Sequence, residues 1–143
     1  MKNRICTKLF GLLLISLALT SGSRAQVAVV VNKSLPVVSL SANTLLEIYT
    51  MNMRRWPDGT PIKVVLQKGN PDLEREFYAY LGKHPLDLRK IWMRIQLSGE
   101  GMAPKAFNTE QEVLAEVAAT PGAIAFVRRS RSDSVKTVLV IDQ

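Results

Sequence analysis

Thr120-Pro121-Gly122-Ala123-Ile124-Ala125-Phe126-Val127 is the stretch on which the reading of this chain turns. The Pro-Gly pair ends whatever helix precedes it, and an unbroken apolar run follows at once. That is the pattern of a turn feeding a strand buried on both faces. The residues before it, Glu110 to Ala119, read as a helix. The stretch is therefore the joint of a helix-turn-strand unit that lays a helix across a sheet.

Working outward, strand and helix signals alternate on both sides. Gln26 to Asn32 carries the β-branched run Val27-Ala28-Val29-Val30-Val31, which reads as another doubly buried strand. Ser41 is a good N-cap for a helix from Ala42 to about Met51, with Leu45, Leu46, Ile48 and Tyr49 at helical spacing. Pro57-Asp58-Gly59 is a turn, and Ile62 to Leu66 a short strand. Asn70-Pro71-Asp72 reads as cap, first-turn proline and first-turn acid of a helix running to about Leu81. Leu88, Ile91, Trp92 and Ile95 define one more amphipathic helix, Leu86 to Leu97. Ser98-Gly99-Glu100-Gly101 ends it and opens a long loop to Phe107, after which Asn108 or Thr109 caps the helix leading into Pro121. Arg128 to Ser134 is a polar loop, and Val135 to Ile141 the last strand. Four short strands alternating with helices predict an α/β fold, a small mixed sheet flanked by helices.

The N-terminus reads as a secretory signal peptide over residues 1–25. Lys2, Arg4 and Lys8 precede an apolar run from Leu9 to Thr20, and Ser23-Arg24-Ala25 places small residues at the −3 and −1 positions of a cleavage site. The run is shorter than the roughly 20 residues a membrane span requires. No stable membrane span is expected once it is removed. Cys6 lies before the run, so it is not a lipoprotein acceptor, and without a twin arginine general secretion is expected. Residues 26–143 then form one domain, long enough for its own core.

That domain carries no cysteine, which removes disulfides and thiolate catalysis. A periplasmic home is expected, with an extracellular one as the other option. The formal charge of +7 overstates the mature balance, because four of the 19 basic residues sit in the signal segment, leaving 15 against 12 acids. Nucleic acid is a poor partner for an exported domain of such mild charge.

The ordered landmarks resemble one lobe of the substrate-binding proteins of phosphate ABC transporters, a type 2 periplasmic binding protein fold. In that family a Leu-Ser pair opens a helix of the pattern LS…L…IF.GKI..W. Here Leu40-Ser41, Leu45, Ile48 and Tyr49 take those places, Trp56 stands at the tryptophan, and Met51-Asn52-Met53 replaces Gly-Lys-Ile. The likeness continues through Trp56-Pro57-Asp58-Gly59, Pro61 to Val65, the Trp92 helix and Ser98 to Gly101. Pro121 to Val127 matches the family's PGAIG-aromatic-V segment, with Ala125 where that pattern has glycine, and the chain closes on Val140-Ile141-Asp142. The resemblance covers residues 27–142.

The resemblance implies a secreted, non-enzymatic solute-binding-like protein, with phosphate or another small anion as ligand and no cofactor. Two departures qualify that. The family's ligand loop reads roughly RSDGSGTT and opens a helix, whereas this chain has Gln67-Lys68-Gly69-Asn70-Pro71-Asp72-Leu73-Glu74. Lys68 replaces the arginine at best, Pro71 removes an amide, and Asp72 and Glu74 bring negative charge. The family also folds two lobes around a cleft, and this chain has room for one. The alternative is an accessory interaction module that no longer binds a solute, meeting an envelope protein or a second copy of itself. An exposed apolar patch at Met51, Met53 and Trp56 would mark that reading.

Lys68, Gly69 and Asn70 are the candidate ligand residues, since a loop feeding a helix N-terminus can hold an anion through amides and dipole. The competing reading is that Asn70-Pro71-Asp72 simply caps its own helix. Ser98 and Gly99 form a second candidate, against a plain helix C-cap. His84 has no second histidine with which to share a metal. Asp72 with Glu76, and Glu112 with Glu116, are four apart as catalytic carboxylates can be, yet solvated helix faces produce such pairs routinely. With no nucleophile elbow or phosphate-cradling loop, catalysis is not expected. Arg128, Arg129 and Arg131 form a basic knot that suits an acidic partner, a lipid head group or an anion, against a plain solvated loop between two strands.

Overall fold

The structure is a computed structural model that describes residues 26–129 and 132–142. The expected signal segment and Arg131 lie outside those residues. Nine elements follow in order: β1 Val27–Val31, α1 Ala42–Tyr49, β2 Lys63–Gln67, α2 Pro71–Tyr80, α3 Pro85–Ser98, β3 Lys105–Phe107, α4 Glu110–Ala119, β4 Ala123–Arg128 and β5 Lys136–Ile141. They form the expected α/β architecture, a mixed sheet flanked by helices.

The sheet has five strands in the order β3-β2-β4-β1-β5. β2 runs parallel to β3 and β4, while β1 pairs antiparallel with both β4 and β5. β1 thus runs against the other four. Its five residues are all buried, as the unbroken valine run predicts for a central strand.

Strand alternation sorts the core into two layers. Val27, Val29, Val31, Ile124 and Phe126 point toward α1, α2 and α3. Ala28, Val30, Ala123, Ala125 and Val127 point to the other face, where α4 brings Val113 and Val117. The first layer is aromatic: Phe77 stacks on Phe126 at 4.1 Å, and Tyr49 meets Phe77 edge-on at 4.9 Å. Trp92 Nε1 donates to the Tyr49 carbonyl at 2.7 Å, and Trp56 Nε1 to the Gly122 carbonyl at 3.0 Å.

Most boundaries fall where the signals place them, with two corrections. α1 stops at Tyr49 rather than Met51 because Met51 takes a left-handed φ of 64°. The segment before Phe107 is not all loop. Its last three residues pair with β2 as β3, in the register Val65↔Lys105 to Gln67↔Phe107.

The joint at residues 120–123 is as expected. Thr120 ends α4, Gly122 adopts a φ of +82°, and β4 begins at once. A Cβ on Gly122 would lie 2.1 Å from the Pro61 carbonyl oxygen, so the joint also seats the turn before β2.

Candidate functional site

The C-terminal ends of β2, β3 and β4 gather at one edge of the sheet. The chain leaves β2 toward the face of α2 and leaves β3 toward the opposite face of α4. Ligands in open α/β sheets bind outside the strand ends at such a switch point. The loop Lys68-Gly69-Asn70 lies there, joining β2 to α2. The Lys68 N–H donates to the Phe107 carbonyl at 2.7 Å, tying this loop to the end of β3. Gly69 carries a φ of +74°, which a side chain would resist.

The helix termini at this edge are already occupied. Asn70 Oδ1 accepts the Leu73 N–H at 3.2 Å, and Pro71 has no N–H to give. Asp72 pairs with Arg75 at 2.5 Å and Glu74 with Arg89 at 2.7 Å. At α4 a capping box closes the turn: Glu112 Oε2 accepts from Asn108 N and Thr109 N, and Thr109 Oγ1 accepts the Glu112 N–H at 3.2 Å. Within the Lys68–Asn70 loop, the side-chain ammonium of Lys68 is exposed and the amides of Gly69 and Asn70 face no protein acceptor among the described residues.

Arg128, at the end of β4, joins this edge. Its guanidinium grips Glu76 with two hydrogen bonds, the one from Nη2 to Oε1 being 3.1 Å. The arginine's hydrogen bond holds the Glu76 carboxyl below its ordinary range, against the opposing pull of burial. The same bond raises Arg128, which also feels Asp72 and Glu110. At the end of β2, the Gln67 side-chain Oε1 is buried without a hydrogen-bond partner among the described residues. A sequence reading places Arg128 in a solvated knot and pairs Glu76 with its helix neighbours. Nothing local links two residues 52 apart. Arg129 turns instead to Gln26, donating from both backbone and side chain.

Ser98 and Gly99 lie elsewhere. Ser98 Oγ donates to the Ile95 carbonyl at 3.1 Å, and Gly99 adopts a left-handed φ of 74°, so both finish α3. The neighbouring Glu100 carbonyl accepts from Arg54 Nη1 at 2.6 Å, at the starting end of β2. The end of α3 thus lies toward the start of β2, whereas the Lys68 loop follows its end. His84 caps α3, its Nδ1 accepting the Leu86 N–H at 3.3 Å. Among the described residues no group of three or more His, Asp or Glu is placed to hold a metal ion, and no helix is long and apolar enough to cross a membrane.

The exposed apolar patch at Met51, Met53 and Trp56 does not form. Trp56 is only 3 % exposed and packs in the core, with Met51 and Met53 partly buried against it. The exposed large apolar side chains among the described residues are Val38 before α1, Tyr80 on α2, and Leu86, Met93, Leu97 and Met102 on α3 and just beyond it.

No protein-family model matches the chain, and no curated relative matches it. Solved structures do match its fold. One, from Clostridium perfringens, is described as a phosphate ABC transporter substrate-binding protein with bound phosphate. It superposes with a TM-score of 0.65 and 19% identity over 79% of this chain and 44% of its own. An ABC-type phosphate transport receptor from Vibrio cholerae gives 0.61 and 21% over 79% and 45%. PstS from Borrelia burgdorferi gives 0.58 and 9% over 79% and 46%. The chain has the fold of a single lobe of these proteins, and it spans less than half their length.

Proposed function

We propose that this chain is a secreted, non-enzymatic solute-binding-like protein of the phosphate-transporter type, presenting a small anion with one wall rather than a closed cleft. The observation that carries the reading is the position of Lys68-Gly69-Asn70. The loop follows β2 at the switch point of a lobe whose solved neighbours include a protein with phosphate bound. Lys68 supplies charge, and the amides of Gly69 and Asn70 supply donors.

The wall is degenerate by its own chemistry. Asp72, Glu74 and Glu76 follow it on α2, and Pro71 lacks the amide that would otherwise point at the anion. One wall also leaves the ligand in water, where each ionic contact is weak. A Kd of about 1 mM or weaker is expected for phosphate on the isolated lobe.

Calorimetric titration of the purified protein with phosphate, with light scattering on the same sample, tests this. Saturable heat that Lys68→Ala removes supports the site. A dimer that binds micromolar phosphate would mean that two chains rebuild a cleft. No heat at tens of millimolar phosphate sinks anion capture by this lobe. Export is checked by the intact mass of the secreted protein, expected to begin at Gln26.

A further inference from the structure

A cavity of about 410 Å³ lies at the other end of β2 from the Lys68 loop. Its origin is legible in the backbone. β3 joins β2 only from the pair Val65↔Lys105, and the preceding Pro104 has no N–H with which to extend the ladder. Lys63 and Val64 therefore pair with β4 on one flank, at Ala123 and Ile124, and face the cavity on the other. Residues 101–104 peel away and form the far wall.

The walls are mostly apolar, with Ile48, Met51, Met53, Ile62, Val64 and Met102. Three methionines make a lining that adapts to an irregular apolar body. The volume falls in the range of small-molecule sites, roughly 300–1,000 Å³. The charges on the wall are mostly spent. Arg54 donates to the Met51 carbonyl at 3.0 Å and to the Glu100 carbonyl at 2.6 Å. Lys105 pairs with Glu116 at 3.0 Å, and the Thr120 hydroxyl donates to the same carboxylate oxygen. Lys63 is the cation left over: it lines the cavity, and its side chain has no hydrogen bond or ion pair among the described residues.

We propose that this cavity binds an amphipathic carboxylic acid of medium chain length, its apolar body among Met51, Met53, Ile62 and Met102 and its carboxylate on Lys63. A second, non-phosphate site follows, at the opposite end of β2 from the anion loop. It does not depend on whether that loop binds.

Decanoate, titrated into the full protein below its micelle concentration, is the probe. One equivalent is expected to bind saturably, unaffected by excess phosphate. Lys63→Ala should weaken it about tenfold, as should replacing decanoate by decanol, each deleting one charge-assisted contact. Met102→Asp, at a position 81 % exposed and hence tolerant of change, sets a like charge at the mouth and should weaken it further. Absence of saturable binding at millimolar decanoate overturns the proposal. So does equal affinity for decanol, or an affinity that neither substitution changes.

Discussion

At Gly122 one absent methyl group decides how closely two segments meet. Its φ is +82°, and a Cβ there would lie 2.1 Å from the Pro61 carbonyl oxygen and 2.9 Å from Thr60 Cγ2. Gly122→Ala therefore forces a backbone shift as well as a left-handed alanine, and should cost about 3 kcal/mol. Gly59 shares the strained geometry, at φ +88°, with nothing within 4 Å. Gly59→Ala should cost only the backbone term, about 1 kcal/mol. Urea midpoints separate the two, and equal losses would remove the close approach from the account. Glu76 gives a pH signature. Its ionised form is the one that the Arg128 hydrogen bond favours, so its folded pKa lies below its unfolded one. The stability it contributes is complete above the unfolded value near 4.3 and is lost as pH falls through the lowered folded value. Thermal midpoints should stay flat from about pH 7 to 5 on this account and fall below about 4, with Glu76→Gln starting lower and falling less steeply. An identical acid limb in both proteins would assign it to other carboxylates.

Among the elements, α4 is secured by a residue that lies outside it. Asn32 Nδ2 donates to the Val117 and Ala118 carbonyls at 2.9 and 3.0 Å, while Oδ1 accepts from the backbone and hydroxyl of Ser34. Asn32 is the buried polar residue of the core among the described residues, and it fastens the last turn of α4 to the end of β1. Asn32→Ala leaves those carbonyls unmet and should cost about 2–3 kcal/mol, with faster hydrogen exchange concentrated in α4. A uniform rise across all helices would contradict a local fastening. The caps at Ser41 and Asn70 were readable, and that of α4 to within Asn108 or Thr109, because each is a contact within three residues. So were β1 and β4, whose apolar runs admit little else. β3 was not readable: three residues without a β-branched side chain become a strand only because β2 stands beside them. His84 as a cap was missed because Asn and Ser are the usual acceptors, and a histidine in a Pro-flanked turn gives no periodic signal.

For the whole molecule, the same distance argument explains why the lobe was legible and its site only in part. Layer order follows from element order, but the edge where strands end draws on Lys68, Glu76, Asn108 and Arg128, which no local pattern joins. That edge also sets the balance of the proposed anion site. On the wall that this lobe presents, Glu76 already occupies the Arg128 guanidinium. Glu76→Gln keeps the shape, removes one negative charge beside the wall and weakens Arg128's attachment to α2. The gain for an incoming anion in a partly solvated site is about 1 kcal/mol. Phosphate affinity should rise roughly fivefold by calorimetry, and Lys68→Ala should cancel the rise if both cations face the same ligand. Tighter binding that survives Lys68→Ala would move the anion to Arg128 alone. Unchanged affinity in a folded Glu76→Gln protein would show that its carboxylate does not limit binding at this edge.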